Sequence, residues 1–416
     1  MINKIKNLIH KLLIKSQKFT GTDNVYIASQ GSYLVIGNAI SSVSSFLLAL
    51  AFARLLPKEI YGQYRYVLSI MGIIAICALP GLENTIIQAV ARGFEGSFKK
   101  ILKTRFRWGL WGSLASLIVA AYFLIKQDNN LAACFLIAGI FFPIMETTGS
   151  YLSYLIGKKL FSIQVKYGTL SQIIAAIITI ITLFLTKSLI VLVLIYFLSN
   201  TILRTYFLLR TIKKNPPNEK DNPQFIPFGK HLTVMRIMLT ISGQLDKILL
   251  FNVLGATQVA IYSFAELPSR QISSLLKNLR LLALPKFATR TREEIRKTLL
   301  KKVAKSVLLI IPVIVIYIII APYAFKIFFP QYLDSIFYSQ LFMLTLIAFP
   351  ATIIALSFEA KLMKKELYQL TIISPIIRII LLIILTSFWG LLGTVLAQLI
   401  SRVFDIVFTL FLFRKI

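Results

Sequence analysis

The sequence has 416 residues, of which 57% are hydrophobic and only 15% are charged. Soluble domains carry roughly one quarter charged residues, so this composition excludes an ordinary soluble protein. The net charge of +30 comes from 46 Lys and Arg residues against 16 Asp and Glu residues. These cations lie mostly between apolar runs, as the positive-inside rule predicts, and no basic-aromatic platform or zinc spacing for nucleic acid accompanies them. The composition therefore predicts a membrane protein and no nucleic-acid partner.

The first 30 residues form a polar and basic segment ahead of the first apolar run. In its first half, Ile and Leu residues recur at helical spacing among lysines. This pattern is typical of a helix that lies on an anionic membrane surface. We predict a cytoplasmic amphipathic segment over 1–30.

Twelve apolar runs follow, each long enough to cross a bilayer as a helix. They divide six and six around a polar stretch, 211–231, that contains four prolines. The sequence thus predicts an all-α integral membrane protein with a six-helix bundle over 31–210, a cytoplasmic linker over 211–231 and a second six-helix bundle over 232–416. The predicted spans are 33–53, 67–90, 106–125, 131–156, 166–186, 189–210, 232–252, 258–284, 303–329, 336–358, 367–387 and 390–412.

The distribution of Lys and Arg between alternate loops predicts the orientation of the spans. The loops after even-numbered spans and the linker hold most of the cations, whereas the opposite loops hold few, among them Arg54, Lys58 and Arg65 after the first span. The positive-inside rule then places both termini in the cytoplasm.

A short internal repeat supports the six-plus-six division. Residues 55–64 follow the first span and residues 253–262 follow the seventh, and both segments carry Leu, a turn residue and a closing Tyr in register. An even number of helices per half makes the repeat parallel, with a pseudo-two-fold axis along the membrane normal. Such bundles commonly place a substrate path between the halves.

Three segments, 53–64, 81–92 and 244–265, resemble signatures of the polysaccharide flippases of the multidrug/oligosaccharidyl-lipid/polysaccharide exporter (MOP) superfamily. The most specific match is Gln244-Leu245-Asp246-Lys247 continuing to Tyr262. The resemblance implies a bacterial inner-membrane flippase that moves undecaprenyl-diphosphate-linked O-antigen or capsule repeat units from the cytoplasmic to the periplasmic leaflet by alternating access. It implies lipid-linked oligosaccharide and membrane lipids as partners, with a polysaccharide polymerase and a chain-length regulator as further candidates.

The sequence contains no P-loop, no HExxH and no Ser-His-Asp candidate, so we predict no enzyme activity, no cofactor and no metal site. Three other functions remain open. A cation-coupled multidrug antiporter should favour acidic cavity groups, a membrane-embedded polymerase or glycosyltransferase should have large outer loops, and a lipid II flippase usually has about fourteen spans.

Arginines inside the predicted spans are the strongest candidate site residues, because an ionisable group within a bilayer is costly unless it is paired or hydrated. Arg270, Arg378 and Arg402 lie near the middle of spans eight, eleven and twelve, and Arg236 of span seven lies closer to the cytoplasm. Guanidinium groups bind phosphate oxygens bidentately and keep their charge, so these four residues are candidates to hold a lipid diphosphate.

Acidic neighbours offer the alternative that these arginines only form structural ion pairs. Asp405 follows Arg402 at i+3 and Glu266 precedes Arg270 at i−4, whereas Arg378 has no acidic residue within a turn. Arg378 is therefore the foremost candidate.

The acidic residues of the spans are candidates for ion coupling. Glu83, Asp246, Glu266 and Asp405 form this set, with structural pairing as the alternative for Asp246. Because Asp246 and Lys247 point about 100° apart on a helix, we expect them not to face the same groove.

A polar stripe in the first span supplies candidate sugar contacts. Asn38, Ser42 and Ser45 recur at i, i+4 and i+7. They could hydrogen-bond sugar hydroxyls, or they could be small residues that allow close helix packing.

Overall fold

A computed structural model describes residues 24–288, 292–360 and 363–414 of the chain, and within these ranges the chain is helical with no strands. Residues 1–23 of the predicted amphipathic segment lie outside the described residues, and the first helix begins at Asn24. The helices that we number α1 to α12 agree with the twelve predicted spans but are longer at most of their ends. The reason is that transmembrane helices continue past the hydrocarbon layer, where polar residues no longer reveal them as apolar runs.

The amino-terminal lobe contains α1 to α6. Its helices are α1 (Asn24–Leu55), α2 (Lys58–Ile74, a 3-10 turn at Ala75–Ala78, then Gly81–Ala91), α3 (Gly96–Ile125), α4 (Asn129–Thr148, then Tyr151–Gly157), α5 (Phe161–Leu185) and α6 (Leu189–Lys214).

The carboxyl-terminal lobe contains α7 to α12. Its helices are α7 (Phe225–Ser242, then Leu245–Leu254), α8 (Ala256–Ala288), α9 (Arg292–Phe328), α10 (Ser335–Leu344, a 3-10 turn at Thr345–Ala348, then Phe349–Ala360), and a continuous stretch Lys364–Phe413 that Gly390 divides into α11 (364–389) and α12 (391–413). Gly390 has a φ of 55° and a ψ of −128°. A side chain would strain this backbone, so glycine allows the tight reversal between the last two spans.

The described residues include ten helical stretches that are long and apolar enough to cross a membrane, one of which holds α11 and α12 together. The α8 helix is not among the ten, and it carries Glu266 and Arg270 within its length. Large apolar side chains on the outward faces, among them Trp111, Phe184 and Phe388, are largely exposed. In water such a surface would aggregate, so these faces are suited to lipid.

The break in α2 leaves a backbone carbonyl free to bind a buried arginine. Pro80 has no N–H group and Leu79 adopts a positive φ of 53°, so the regular helix stops here. The Leu82 amide bonds to the Leu79 carbonyl, and the Ala78 carbonyl accepts a hydrogen bond of 3.0 Å from Nε of Arg105 instead.

The two copies of the internal repeat contact each other at the end of the bundle opposite the linker, which we call the far end. A Cβ atom on Gly62 would lie 1.8 Å from the Ala256 carbonyl oxygen, so only glycine permits this approach of α2 to α8. The rings of Tyr61 and Phe264 lie 4.9 Å apart, and those of Phe264 and Tyr332 lie 3.9 Å apart. One buried apolar cluster therefore joins the lobes at the far end.

Polar contacts also join the lobes at both ends. At the far end, Lys58 Nζ lies 2.9 Å from Asp334 Oδ2, and Arg54 Nη2 donates a 2.8 Å hydrogen bond to the Ile327 carbonyl. At the linker end, the Gly81 amide donates a 3.0 Å hydrogen bond to Thr233 Oγ1.

The linker is shorter than the sequence predicts. Only residues 215–224 are non-helical, because α6 continues to Lys214 and α7 already begins at Phe225. Asp221 anchors this stretch to α3 by accepting hydrogen bonds from Lys100 and, at 2.6 Å, from Ser97 Oγ. The hydrogen bond from Lys100, followed by that from Ser97, lowers the pKa of Asp221 below its usual value.

Candidate substrate cavity

Three of the four predicted cavity arginines meet around one cavity within the carboxyl-terminal lobe. This cavity, which we call the C-lobe cavity, has a volume of about 360 Å³ and is lined by Arg270, Arg378 and Arg402 together with Glu266 and Gln398. A smaller cavity of about 280 Å³ lies beside it and shares Arg378 and Arg402. Helices that are far apart in sequence thus bring their guanidinium groups to the same place.

Arg378 is the least neutralised of these arginines. Among the described residues it has no ion-pair partner, and its Nε atom is buried without a hydrogen-bond partner. An unsatisfied buried donor costs about 1–3 kcal/mol, so the Nε atom of Arg378 is a free hydrogen-bond donor beside the cavity.

Arg270 and Arg402 each form the ion pair that the sequence suggests. Arg270 Nε lies 3.5 Å from Glu266 Oε1, and Arg402 Nη1 lies 3.4 Å from Asp405 Oδ2. Both guanidinium side chains still expose about half of their surface, at 55% and 45%. Pairing and access to the cavity are therefore compatible for both residues.

Arg236 has a different position. It is exposed, and it lines none of the four cavities described here. The structure therefore does not bring it together with the other three arginines.

A third cavity lies between the lobes, and we call it the central cavity. It has a volume of about 440 Å³ and is lined by residues of α1, α2 and α8, including Ser45, Arg65 and Arg270. Nε of Arg65 is buried and has no hydrogen-bond partner among the described residues. The assignment of Arg65 to an outer loop is wrong, because α2 begins at Lys58 and places Arg65 about 10 Å inside the helix.

Asp246 belongs to a buried network behind the cavity. Its carboxylate accepts hydrogen bonds from the Lys247 amide at 2.8 Å, from the Tyr262 hydroxyl at 2.7 Å and from Gln398 Nε2 at 3.2 Å. Lys247 Nζ lies 3.4 Å from Asp246 and 3.2 Å from Glu266. The expectation that Asp246 and Lys247 face different grooves is wrong, because the lysine side chain bends back to its neighbour.

The amino-terminal lobe has a separate charged cluster around Arg105. This side chain is fully buried, and Nη1 donates hydrogen bonds to Glu83 Oε1 at 3.0 Å and to Ser150 Oγ at 2.6 Å. Glu146 lies 4.0 Å from Arg105 and 3.8 Å from Arg204. Glu83 and Glu146 are thus neutralised by two arginines.

Sequence reasoning misses both of these arginines. The predicted third span begins at residue 106, whereas α3 begins at Gly96 and carries Arg105 about 14 Å into the bundle. Arg204 lies well inside the predicted sixth span, so its position alone was a signal that could have identified it.

A fourth cavity, the N-lobe cavity, has a volume of about 450 Å³ and is lined mainly by hydroxyl, amide and aromatic groups. Ser45 lines it and accepts a 2.8 Å hydrogen bond from Gln172 Nε2. Asn38 and Ser42, the other members of the predicted stripe, line none of the four described cavities, and Ser44 takes part instead.

The balance of positive and negative side chains differs between the C-lobe and central cavities and the N-lobe cluster. Five cations surround the C-lobe and central cavities, against three carboxylates. The cations are Arg65, Lys247, Arg270, Arg378 and Arg402, and the carboxylates are Asp246, Glu266 and Asp405. The N-lobe cluster has two cations and two carboxylates. The excess of positive charge is confined to the C-lobe and central cavities.

The chain is thus a multi-pass membrane protein whose two six-helix lobes contain polar cavities within and between them. Residues 27–279, more than half of the chain, match the family described as "Polysaccharide biosynthesis protein". The chain belongs to this family, and its fold is that of the MOP superfamily of transporters and flippases. No curated protein sequence matches the chain.

Solved structures with the same fold include a multidrug resistance MATE family transporter of the MOP superfamily in an inward-facing conformation. It has a TM-score of 0.64 and 12% identity, with 90% of this chain and 95% of that chain covered. The lipid II flippase MurJ in an inward closed conformation has a TM-score of 0.61 and 14% identity, with 90% of this chain and 86% of that chain covered. A MOP superfamily transporter from Pyrococcus furiosus, described as having a binding pocket of reverse polarity, has a TM-score of 0.56 and 12% identity, with 94% and 95% covered.

Proposed function

We propose that this chain is a flippase that moves an oligosaccharide repeat unit of O-antigen or capsule, linked to undecaprenyl diphosphate, from the cytoplasmic to the periplasmic leaflet. The observation that carries the proposal is the convergence of Arg270, Arg378 and Arg402 on one intramembrane cavity. The family match to polysaccharide biosynthesis proteins supports the same class of substrate.

The cavity chemistry fits a diphosphate better than a cationic drug. A diphosphate must lose much of its hydration as it enters the bundle, and arginines that keep their charge compensate this loss. Arg65 on α2 and Arg270 on α8 line the central cavity, so groups from both lobes can reach the same anion. A drug cation would meet an excess of positive charge there, which disfavours the multidrug antiporter.

The direction of transport follows from the proposed orientation. With the linker end in the cytoplasm, the aromatic cluster of Tyr61, Phe264 and Tyr332 lies at the periplasmic end. Separation of these contacts, with closure at the linker end, would expose the cavity to the periplasm. The lipid tail stays in the bilayer while the headgroup crosses with the rocking lobes.

The experiment that tests this function uses cells of the native host that lack the gene. We expect a radiolabelled, undecaprenyl-linked repeat unit to accumulate on the cytoplasmic leaflet while surface polysaccharide disappears, and a plasmid copy should reverse both effects. Unchanged surface polysaccharide together with increased sensitivity to cationic drugs would replace the flippase with the antiporter.

A further inference from the structure

The N-lobe cavity is adjacent to the cationic cavities but has a different chemistry. Ser45 and Leu48 line both the N-lobe cavity and the central cavity, and Arg270 lines both the central and the C-lobe cavity. A ligand with two chemically different parts could therefore occupy the row of cavities with each part in its own environment.

The charged groups at the wall of the N-lobe cavity are already neutralised within the protein. Glu83 pairs with Arg105 at 3.0 Å, and Arg204 lies 3.8 Å from Glu146. No excess charge remains to attract an anion or a cation. Glu83 and Arg204 both line the cavity, with side chains 43% and 30% exposed, so a charged sugar would find no net opposite charge to compensate its lost hydration.

The cavity also holds polar groups that lack partners. Among the described residues, the hydroxyls of Tyr64 and Tyr151 and the side-chain carbonyl oxygens of Gln172 and Asn200 have no hydrogen-bond partner within the protein. None of these four atoms is fully buried, so they are accessible at the cavity wall and can bond to a ligand that brings hydroxyl or amide groups of its own.

Two features make the site suited to sugar rings. The Gln172 amide is held in place, because its Nε2 donates to Ser45 Oγ at 2.8 Å and to the Ser41 carbonyl at 3.1 Å. The rings of Tyr64 and Tyr196 meet edge to face at 6.1 Å, which offers aromatic surface for the apolar face of a pyranose. The volume of about 450 Å³ falls within the ordinary range of small-molecule sites.

We propose that the N-lobe cavity is the glycan subsite and binds uncharged sugars of the repeat unit, while the cationic cavities hold the diphosphate. This inference rests on the proposed function and narrows its substrate to lipid-linked glycans whose sugars in this cavity are neutral. Gln172, Asn200 and Tyr196 are then residues that determine sugar specificity.

The test measures binding to the full-length protein in lipid nanodiscs. The probes are farnesyl diphosphate, the same lipid diphosphate carrying glucose, galactose or N-acetylglucosamine, and the same compound carrying glucuronic acid. We expect at least one neutral sugar to tighten binding about tenfold over farnesyl diphosphate, as two or three net hydrogen bonds would. Glucuronic acid should give a smaller gain.

The variants separate the sugar from the diphosphate. Gln172→Ala and Asn200→Ala should each reduce the gain from the sugar by about two- to tenfold and leave the affinity for farnesyl diphosphate unchanged. Gln164→Ala is the matched control, since it lies two turns away on the same helix and lines none of the four described cavities. If an alanine variant does not fold, Tyr196→Phe removes a single hydroxyl and takes its place.

Each result decides between the two proposals. If farnesyl diphosphate binds and no neutral sugar adds affinity, the glycan subsite is wrong and the flippase proposal stands. The same conclusion follows if Gln172→Ala and Asn200→Ala weaken the binding of all probes equally. If glucuronic acid increases the affinity as much as a neutral sugar does, the proposal that the cavity selects uncharged sugars is wrong. If farnesyl diphosphate does not bind at all, the proposed function itself fails.

Discussion

The two lobes share a topology but handle charge in opposite ways. In the amino-terminal lobe, Arg105 is completely buried, donates hydrogen bonds to Glu83, Ser150 and a backbone carbonyl, and lies 4.0 Å from Glu146, although its Nη2 atom has no hydrogen-bond partner in the described part of the chain. In the carboxyl-terminal lobe, Arg378 keeps a buried Nε atom without a partner among the described residues. The comparison shows that an arginine within a span can be paired with carboxylates of neighbouring helices, as Arg105 is, or lie beside a cavity without an ion-pair partner among the described residues, as Arg378 does.

The largest expected effect comes from removing the positive charge of the C-lobe cavity. Replacing Arg270, Arg378 and Arg402 together by Gln should abolish surface polysaccharide at normal protein levels, because the diphosphate would enter an uncompensated site. Arg378→Gln alone should weaken farnesyl diphosphate binding by about 10- to 100-fold, which corresponds to one charge-assisted hydrogen bond. Binding in nanodiscs and surface polysaccharide are the two measurements.

The matched control for this loss is Arg107→Gln. Arg107 also lies on a transmembrane helix, but it is exposed and lines none of the four described cavities. Full function of the triple variant would refute the role given to these arginines.

The second prediction tests the structural use of arginine. Arg105→Met should destabilise the protein by about 1–3 kcal/mol, because it leaves the buried Ala78 carbonyl without its donor and the partly exposed Glu83 without its arginine. Thermal unfolding in detergent measures the loss. The double variant Arg105→Met with Glu83→Gln should recover part of the lost stability. No recovery would mean that the unpaired Glu83 carboxylate is not a cause of the loss.

A third and smaller effect is expected when the net positive charge around Arg402 is increased. Asp405→Asn removes the carboxylate that lies 3.4 Å from Arg402, so the cavity gains one net positive charge. We expect farnesyl diphosphate to bind about two- to fivefold more tightly, since partly exposed ion pairs are worth about 1 kcal/mol or less. Weaker binding would show that Asp405 positions Arg402 for the anion.

The smallest effect concerns the linker between the lobes. The pKa of Asp221 is lower in the folded protein than in the unfolded chain. Asp221 therefore stabilises the folded linker above about pH 4, the pKa of an unfolded aspartate, and this stabilisation is lost as the pH falls through the folded-state pKa. Amide exchange of Gly96 and Asn222, corrected for intrinsic rates, should therefore accelerate between pH 5 and pH 3 by roughly severalfold. In Asp221→Asn the acceleration should be absent, and its persistence would assign the change to another group.

The sequence predicts the positions of the C-lobe arginines better than those of the N-lobe. Arg378 and Arg402 stand inside strongly apolar runs and Arg270 stands in the middle of a less apolar helix, so their depth can be counted along the helix. Arg65 and Arg105 stand next to the polar ends of their runs, and the predicted spans begin after them. Their helices in fact begin at Lys58 and Gly96. Hydropathy alone cannot locate such ends, because helices continue beyond the apolar layer.

The glycan subsite shows a second limit of sequence reasoning. The stripe Asn38, Ser42 and Ser45 follows helical spacing, yet only Ser45 lines a described cavity. Gln172 and Asn200 lie on α5 and α6 among apolar residues and form no repeating pattern. Which helix face lines a cavity depends on the rotation of each helix against its neighbours, and no local pattern in a lipid-facing helix records that rotation.

The sequence by itself determined the class of this protein and its helices. In a bilayer the backbone must satisfy its hydrogen bonds within each segment, so the apolar runs had to become helices. Only the tertiary structure decided which charges neutralise one another, since Arg105 meets Glu83 and Glu146 from two other helices, while Arg378 meets no carboxylate among the described residues. Charge pairing depends on distances of a few ångströms between helices, and those distances are fixed by side-chain packing across the whole bundle.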